Sequence, residues 1–235
     1  MALPKLQTPS YEMEVPSTGT KVKFRPFLVK EQKVLMVAQE TGNDKDMARA
    51  MCDIIRNCTD GAIKDPEKHP TFDIEYMFLQ LRSKSVGDEV ELNVLCPDDG
   101  KTRVPVKLNL SDVKLDRPEG HTNEIMITDT IGMKFKYPSM MDISKYTGNK
   151  TSNADLTFGV IRDCLIHIFD ENEVYEDMNK QDVDEFIESM STEQFAKVQQ
   201  FFDTMPKLRH TIMVTNPNTE VESPVIIEGM QNFLA

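Results

Sequence analysis

Four histidines and four cysteines are the side chains best suited to nucleophilic, acid–base or metal chemistry in this chain, and their spacing argues against all three. His69, His121, His167 and His210 are far apart, and none stands beside a Cys, Asp or Glu at the spacing of a metal site or a catalytic triad. An ordinary surface or half-buried role is expected for each. Cys52, Cys58, Cys96 and Cys164 include no Cys-x-x-Cys pair, which suits free thiols in a reducing compartment. Cys58 and Cys164 fall on the apolar stripes of predicted helices, where a thiol behaves as a small hydrophobe. There is no phosphate-cradling glycine loop, no Gly-x-Ser-x-Gly elbow and no His-Glu-x-x-His. Two runs come nearest to a ligand set. Cys96-Pro97-Asp98-Asp99 offers a thiol where a zinc knuckle begins, but the fourth position holds the hard carboxylate Asp99 in place of a second thiolate. Asp170-Glu171-Asn172-Glu173 starts like a calcium loop, but Tyr175 stands at the sixth position, where the turn needs Gly, and Gln181 at the twelfth, where Glu belongs. No catalytic residue, metal ligand or cofactor is therefore expected, and an unrecognised enzyme stands only as the remote alternative.

Charge points to a different kind of work. The formal net charge of −12 and a pI of about 4.8 oppose generic attraction to nucleic acid or anionic lipid. The charge is also polarised along the chain. Residues 170–193 carry ten acids against Lys180 alone, whereas the first 36 residues hold six bases and three acids. Glu176, Asp177, Asp184 and Glu188 in the first region, and Lys21, Lys23 and Arg25 in the second, are the candidate partner-binding residues. A solvated acidic face is the plainer reading of the first. Fifteen methionines and no tryptophan suit either irregular core packing or an adaptable contact surface.

Hydrophobic residues make up 39% of the 235, enough for one large domain or two small ones with real cores. No apolar run approaches the roughly 18 residues of a membrane span. The opening Met1-Ala2-Leu3-Pro4-Lys5-Leu6-Gln7 has no apolar core of a signal peptide, so residence in a cytoplasm is expected.

The elements that must position these residues are short. Tyr11–Val15 and Lys21–Arg25 alternate polar and apolar residues around Pro16-Ser17-Thr18-Gly19, which predicts a β-hairpin. After Pro26 the period becomes helical, with Val34, Leu35, Val37 and Ala38 as the stripe. A second helix from Asn43 or Asp44 carries Met47, Ala50, Met51, Ile54, Ile55 and Cys58. Thr71 or Asp73 can cap a third helix bearing Ile74, Met77, Phe78 and Leu81. Val90, Leu92 and Val94 then alternate, turn at Pro97-Asp98-Asp99-Gly100, and return through Val104, Val106 and Leu108, with Pro105 marking an edge strand.

Residues 111–124 form a polar connection. They are the candidate boundary between residues 1–115 and residues 125–235, although a single domain fits as well. Beyond it, residues 125–127 and 133–137 predict a strand pair. Ser152 or Asn153 caps a helix carrying Leu156, Val160, Ile161, Cys164, Leu165 and Ile168. The acids from 170 decorate a predicted helical hairpin, whose second arm opens with the capping box Ser191-Thr192-Glu193-Gln194 and buries Phe195, Val198, Phe202 and Met205. A last hairpin turns at Asn216-Pro217-Asn218-Thr219. The tail from Met230 to Ala235 is too apolar for a loose end. The fold class is thus α+β, short amphipathic helices alternating with β-hairpins. The order of helix and hairpin at 73–110 and again at 192–228 leaves an internal duplication open.

Two runs of residues carry a likeness. Lys23-Phe24-Arg25-Pro26-Phe27-Leu28-Val29-Lys30-Glu31-Gln32-Lys33, followed by Phe72-Asp73-Ile74-Glu75-Tyr76-Met77-Phe78-Leu79-Gln80-Leu81-Arg82-Ser83-Lys84-Ser85-Val86-Gly87, resembles the family of baseplate hub proteins of T-even-type bacteriophages. The second run is the more specific, and the likeness extends over nearly the whole chain. It implies a small acidic protein without enzymatic activity that helps build the central hub of a contractile tail's baseplate. Partners implied are other baseplate hub or tape-measure proteins, met in the host cytoplasm during assembly and then in the virion tail if the protein is retained. A transient tail-assembly chaperone is the alternative. Some relatives in that family carry Cys-x-x-Cys at hairpin tips. Asp99 and the Asn216–Thr219 turn depart from this, so no zinc role is carried over.

Overall fold

The computed structural model describes residues 6–146 and 152–229. The apolar tail from Met230 and the first five residues lie outside them. In chain order the elements are β1 Tyr11–Glu14, β2 Lys21–Phe24, α1 Val29–Thr41, α2 Asp44–Cys58, α3 Thr71–Val86, β3 Glu89–Leu95, β4 Arg103–Asn109, β5 Lys114–Asp116, β6 Glu124–Met126 and β7 Gly132–Phe135. They continue with α4 Met140–Ser144, α5 Asn153–Cys164, β8 Leu165–Phe169, β9 Val174–Tyr175, α6 Lys180–Glu188, α7 Thr192–Thr204, β10 Lys207–Thr215 and β11 Glu222–Glu228. The class is α+β with small antiparallel sheets. Among the described residues no helix is long and apolar enough to cross a membrane.

Packing groups the chain into two compact units. One takes the described residues through Asp116 together with those from Lys207 onward; the other runs from Arg117 to Pro206. The 111–124 connection contains the first crossing, but the last hairpin returns to the first unit. The reason is β5, which pairs with Lys207–Arg209 and makes a three-stranded sheet in the order β11-β10-β5. The helix–hairpin echo is divided by the same pairing: α7 packs in the second unit, while β10 and β11 belong to the first.

In the first unit α3 is central. Phe72, Ile74, Met77, Phe78, Leu79 and Leu81 are all buried, so the helix is covered nearly all round rather than along one stripe. Asp73 does not cap it. The N-cap is Pro70, and the buried Asp73 carboxylate instead accepts hydrogen bonds from the Ser17 amide at 2.9 Å and from the Ser17 hydroxyl. That pins the β1–β2 turn to the start of α3, where the helix dipole favours a negative charge. The β1–β2 hairpin turns Met13, Val22 and Phe24 inward in the expected alternation. The stripe expected on α1 is only partly turned inward: Ala38 is buried, but Val34 and Val37 are 45% and 52% exposed. Helix α2 starts as expected, the Asn43 side chain accepting from the Lys45 amide at 3.0 Å. Pro105 lies in β4 of a two-stranded sheet, an edge position where its missing N–H costs nothing.

The second unit is built on a sheet of order β6-β7-β8-β9, with Met133, Phe135, Val160, Ile161, Cys164, Val198 and Phe201 in its core. Two sequence expectations are corrected here. The helix expected to carry Leu165 and Ile168 ends at Cys164, and residues 165–169 form β8. Leu-Ile-His-Ile-Phe is rich in β-branched and aromatic side chains, and β7 supplies a ladder that a helix could not use. The acidic segment is not a helical hairpin throughout: residues 170–173 turn, Val174–Tyr175 adds the outer strand, and only α6 and α7 are helical. The capping box at Ser191 and Gln194 forms, with contacts of 2.8 and 3.2 Å. On α7 the buried phenylalanine is Phe201, 1% exposed, whereas Phe202 is half-buried.

Candidate functional site

His69 Nδ1 lies 3.3 Å from Asp73 Oδ2, a pairing the sequence spacing of four residues allows and the sequence reading missed. With Ser17 on the same carboxylate, the three residue types of a hydrolytic triad are together, but in the wrong order. A triad needs the imidazole between hydroxyl and carboxylate to take the serine proton. Here Asp73 is in the middle, so the cluster is a structural knot. His121 stacks on Tyr137 and Phe201, with ring centroids 5.6 and 5.2 Å away, and burial pushes its pKa down. His167 Nδ1 is buried without a hydrogen-bond partner, 3.9 Å from Glu176 Oε1, and His210 lies in β10.

The two hairpin tips of the first unit face each other. The β3–β4 tip closes with Cys96 N–H to Thr102 O at 2.8 Å and Gly100 N–H to Cys96 O at 3.0 Å. The β10–β11 tip repeats the pattern, Asn216 N–H to Val221 O at 3.0 Å and Glu220 N–H to Asn216 O at 2.8 Å, with Gly100 and Glu220 both left-handed at φ +62° and +59°. Between the tips, Asp98 accepts from Thr219 Oγ1 at 2.5 Å and from Asn216 Nδ2 at 3.0 Å to each oxygen, and these donors hold its carboxyl below the usual range. Asp99 accepts from the Thr102 hydroxyl and the Thr102 and Lys101 amides, and is held well below that range. Both carboxylates therefore fasten turns. Among the described residues no group of three or more His, Cys, Asp and Glu is placed to hold a metal ion.

The seven charged candidates separate into used and open. Arg25 is turned inward: its guanidinium donates to Glu31 Oε1 at 2.9 Å, Pro26 O at 3.0 Å and Asn57 O at 3.3 Å. Glu31 is 2% exposed and also accepts from the Leu28 amide. Burial alone would push the Glu31 carboxyl up, but the Arg25 and Leu28 hydrogen bonds outweigh it and hold it low. Lys21 and Lys23 remain on the open face of β2, Lys21 only 3.9 Å from Glu12. Asp184 is taken by Arg162, whose Nη1 reaches its two oxygens at 2.7 and 3.0 Å. Glu188 is exposed at the end of α6.

Glu176 and Asp177 border a cleft of about 720 Å³ between the β8–β9 edge and α6. Its floor is apolar, from Ile131, Ile168, Phe169 and Phe186, and its rim adds Glu173 and Asp182. Among the described residues no Lys or Arg pairs with Glu173, Glu176, Asp177 or Asp182. Four of the unit's cations pair with other carboxylates, Lys134 with Glu124, Lys136 with Asp142, Lys145 with Asp163 and Arg162 with Asp184, and Lys197 donates to the Met126 and Ile127 carbonyls. The outer strand β9 exposes Val174 and Tyr175 beside it, 52% and 42%. An open apolar floor under carboxylates that lack a Lys or Arg partner suits contact with a basic, partly apolar protein surface.

Residues 8–235 match a protein-family model described as T4 bacteriophage base plate protein. No curated protein and no solved structure matches the chain.

Proposed function

The chain belongs to the T4 bacteriophage base plate protein family, and from that premise we propose that it is a non-enzymatic building block of the baseplate hub, working through protein–protein contacts. The match over nearly the full length carries this reading, since it includes both units and both hairpin tips rather than one shared motif. The structure's own contribution is consistent in kind. The Asp98, Asp99 and His69 side chains that could do chemistry are spent on turns and knots, while the groups left open include Lys21 and Lys23 on β2 and an acidic cleft. The partners are other hub proteins or those that engage the tape measure, and the place of action is the virion tail. Mass spectrometry of purified virions tests it. A building block is present at fixed stoichiometry in the baseplate fraction; absence or trace amounts there, with the protein abundant in assembling cells, would replace the reading by a transient tail-assembly chaperone.

A further inference from the structure

Helix α1 is the least covered helix face of the first unit. Val29 is 80% exposed and Met36 54%, and with Lys33 and Val37 they recur at i, i+4, i+7 and i+8, one face of a helix. Lys30 borders the same face, its side chain 69% exposed although its ammonium lies 3.4 Å from the buried Glu31 carboxylate, and Glu40 is the face's single acid. The face opposite holds the buried Glu31 and Ala38, so the helix meets the core on that side and leaves the apolar side open. It is a basic apolar ridge. The cleft of the second unit is its converse, an apolar floor ringed by Glu173, Glu176, Asp177 and Asp182, with no Lys or Arg among its described lining residues and only the His167 imidazole, 3.9 Å from Glu176, beside the rim.

We propose that the acidic cleft of one copy receives helix α1 of a second copy, so that the protein associates with itself head to tail. This rests on the reading that the protein works through protein contacts, and it names one partner. Burial of Val29, Met36 and Val37 against Ile131, Ile168 and Phe186 supplies the attraction, and the lysines against the rim carboxylates supply register and steering. A nucleic acid or anionic lipid would meet like charge in the cleft. Because the two surfaces differ, the contact is heterologous. A bound pair still offers one free ridge on one copy and one free cleft on the other, so association closes into a ring or continues.

Sedimentation velocity of the full chain over a concentration series tests this. At low salt the expected result is concentration-dependent association, weakened at least about fivefold as the Debye length shrinks from roughly 10 Å toward 3 Å on going to 1 M salt. Lys30→Glu with Lys33→Glu abolishes it, and so does Glu173→Lys with Asp177→Lys. Mixed one to one, the two variants restore it, because each then offers the charge the other's surface has lost. Met36→Ser with Val37→Ser, which leaves the charge alone, also abolishes it; thermal melts confirm that each variant is folded. A monomer at every concentration and salt overturns the proposal, as does undiminished self-association of either charge variant or failure of the mixture to associate. None of these outcomes bears on the virion mass spectrometry, so the baseplate reading stands or falls separately.

Discussion

Truncating Phe201 to Ala examines the core of the second unit directly. The ring is 1% exposed, with centroids of Phe202, His121, Phe135 and Tyr137 at 4.9, 5.2, 5.4 and 5.6 Å. Losing the transfer free energy of a fully buried aromatic costs about 2–3 kcal/mol. A ring-sized hole, at roughly 24 cal/mol per Å³, adds about 1–2 kcal/mol where the walls cannot collapse. The neighbours are held by contacts of their own, Phe135 in the β7 ladder, His121 on the Thr204 hydroxyl and Tyr137 on the His121 ring, so little collapse is expected and the sum is about 4 kcal/mol. Phe202→Ala is the control. That ring is half-buried and keeps an edge-on contact with Phe135 at 5.7 Å, so its loss is expected to cost about 1–2 kcal/mol. The chain has no tryptophan, so urea denaturation is followed by far-UV circular dichroism, with hydrogen exchange over residues 117–206 to assign the loss to this unit. If Phe202→Ala lowers the midpoint as much as Phe201→Ala, the assignment of the buried face of α7 is refuted.

Arg25→Ala leaves the buried Glu31 carboxylate with only the exposed Lys30 ammonium at 3.4 Å and the Leu28 amide, and is expected to cost about 2–3 kcal/mol, read as a shift of the urea midpoint. Since Glu31 is held below its ordinary value of 4.5, its contribution is present above that pH and lost as pH falls through the lowered value; the wild type should weaken below about pH 4.5 and Arg25→Ala should lack that component. Burial pushes Cys52 and Cys58 up to about 11 and Cys164 up to about 12, so iodoacetamide at pH 8 should leave these thiols unlabelled until urea is added, and rapid labelling of native protein would contradict their burial. Gly159→Ala separates propensity from packing: an exposed helix would gain up to about 1 kcal/mol, but a Cβ here meets the Tyr146 ring held by Arg162, so a loss of about 1–3 kcal/mol in thermal stability is expected. Elemental analysis after dialysis should find no stoichiometric zinc, because Asp98 and Asp99 are already occupied by turn donors.

What could be read from the chain alone was whatever is decided within a few residues. Alternation around Pro16–Gly19 and the turn residues at Pro97–Gly100 and Asn216–Thr219 specified hairpins, and Ser191 with Gln194 specified where α7 begins, because turns and caps are satisfied by near neighbours. Composition likewise placed the acids in 170–193 and made the amino end basic. Residues 165–169 were the limit of that approach. Their apolar spacing fits a helix as well as a strand, and only the ladder offered by β7 decides between them.

Charge and apolar pattern therefore determined that this is an α+β protein with two poles of opposite sign, while tertiary packing decided which members of each pole are free. Arg25 and Asp184 look no different in sequence from Lys23 and Asp177, yet Arg25 neutralises a carboxylate buried among the helices and Asp184 is held by Arg162. The same holds for Phe201 over Phe202 and for the cleft floor, assembled from Ile131 ahead of β7, from β8 and from α6. A buried charge or ring must find its partner in the folded chain at the cost of desolvation, and partners outside the period of one helix or strand, such as Glu31 six residues from Arg25 or Asp184 22 from Arg162, leave no periodic mark on the chain.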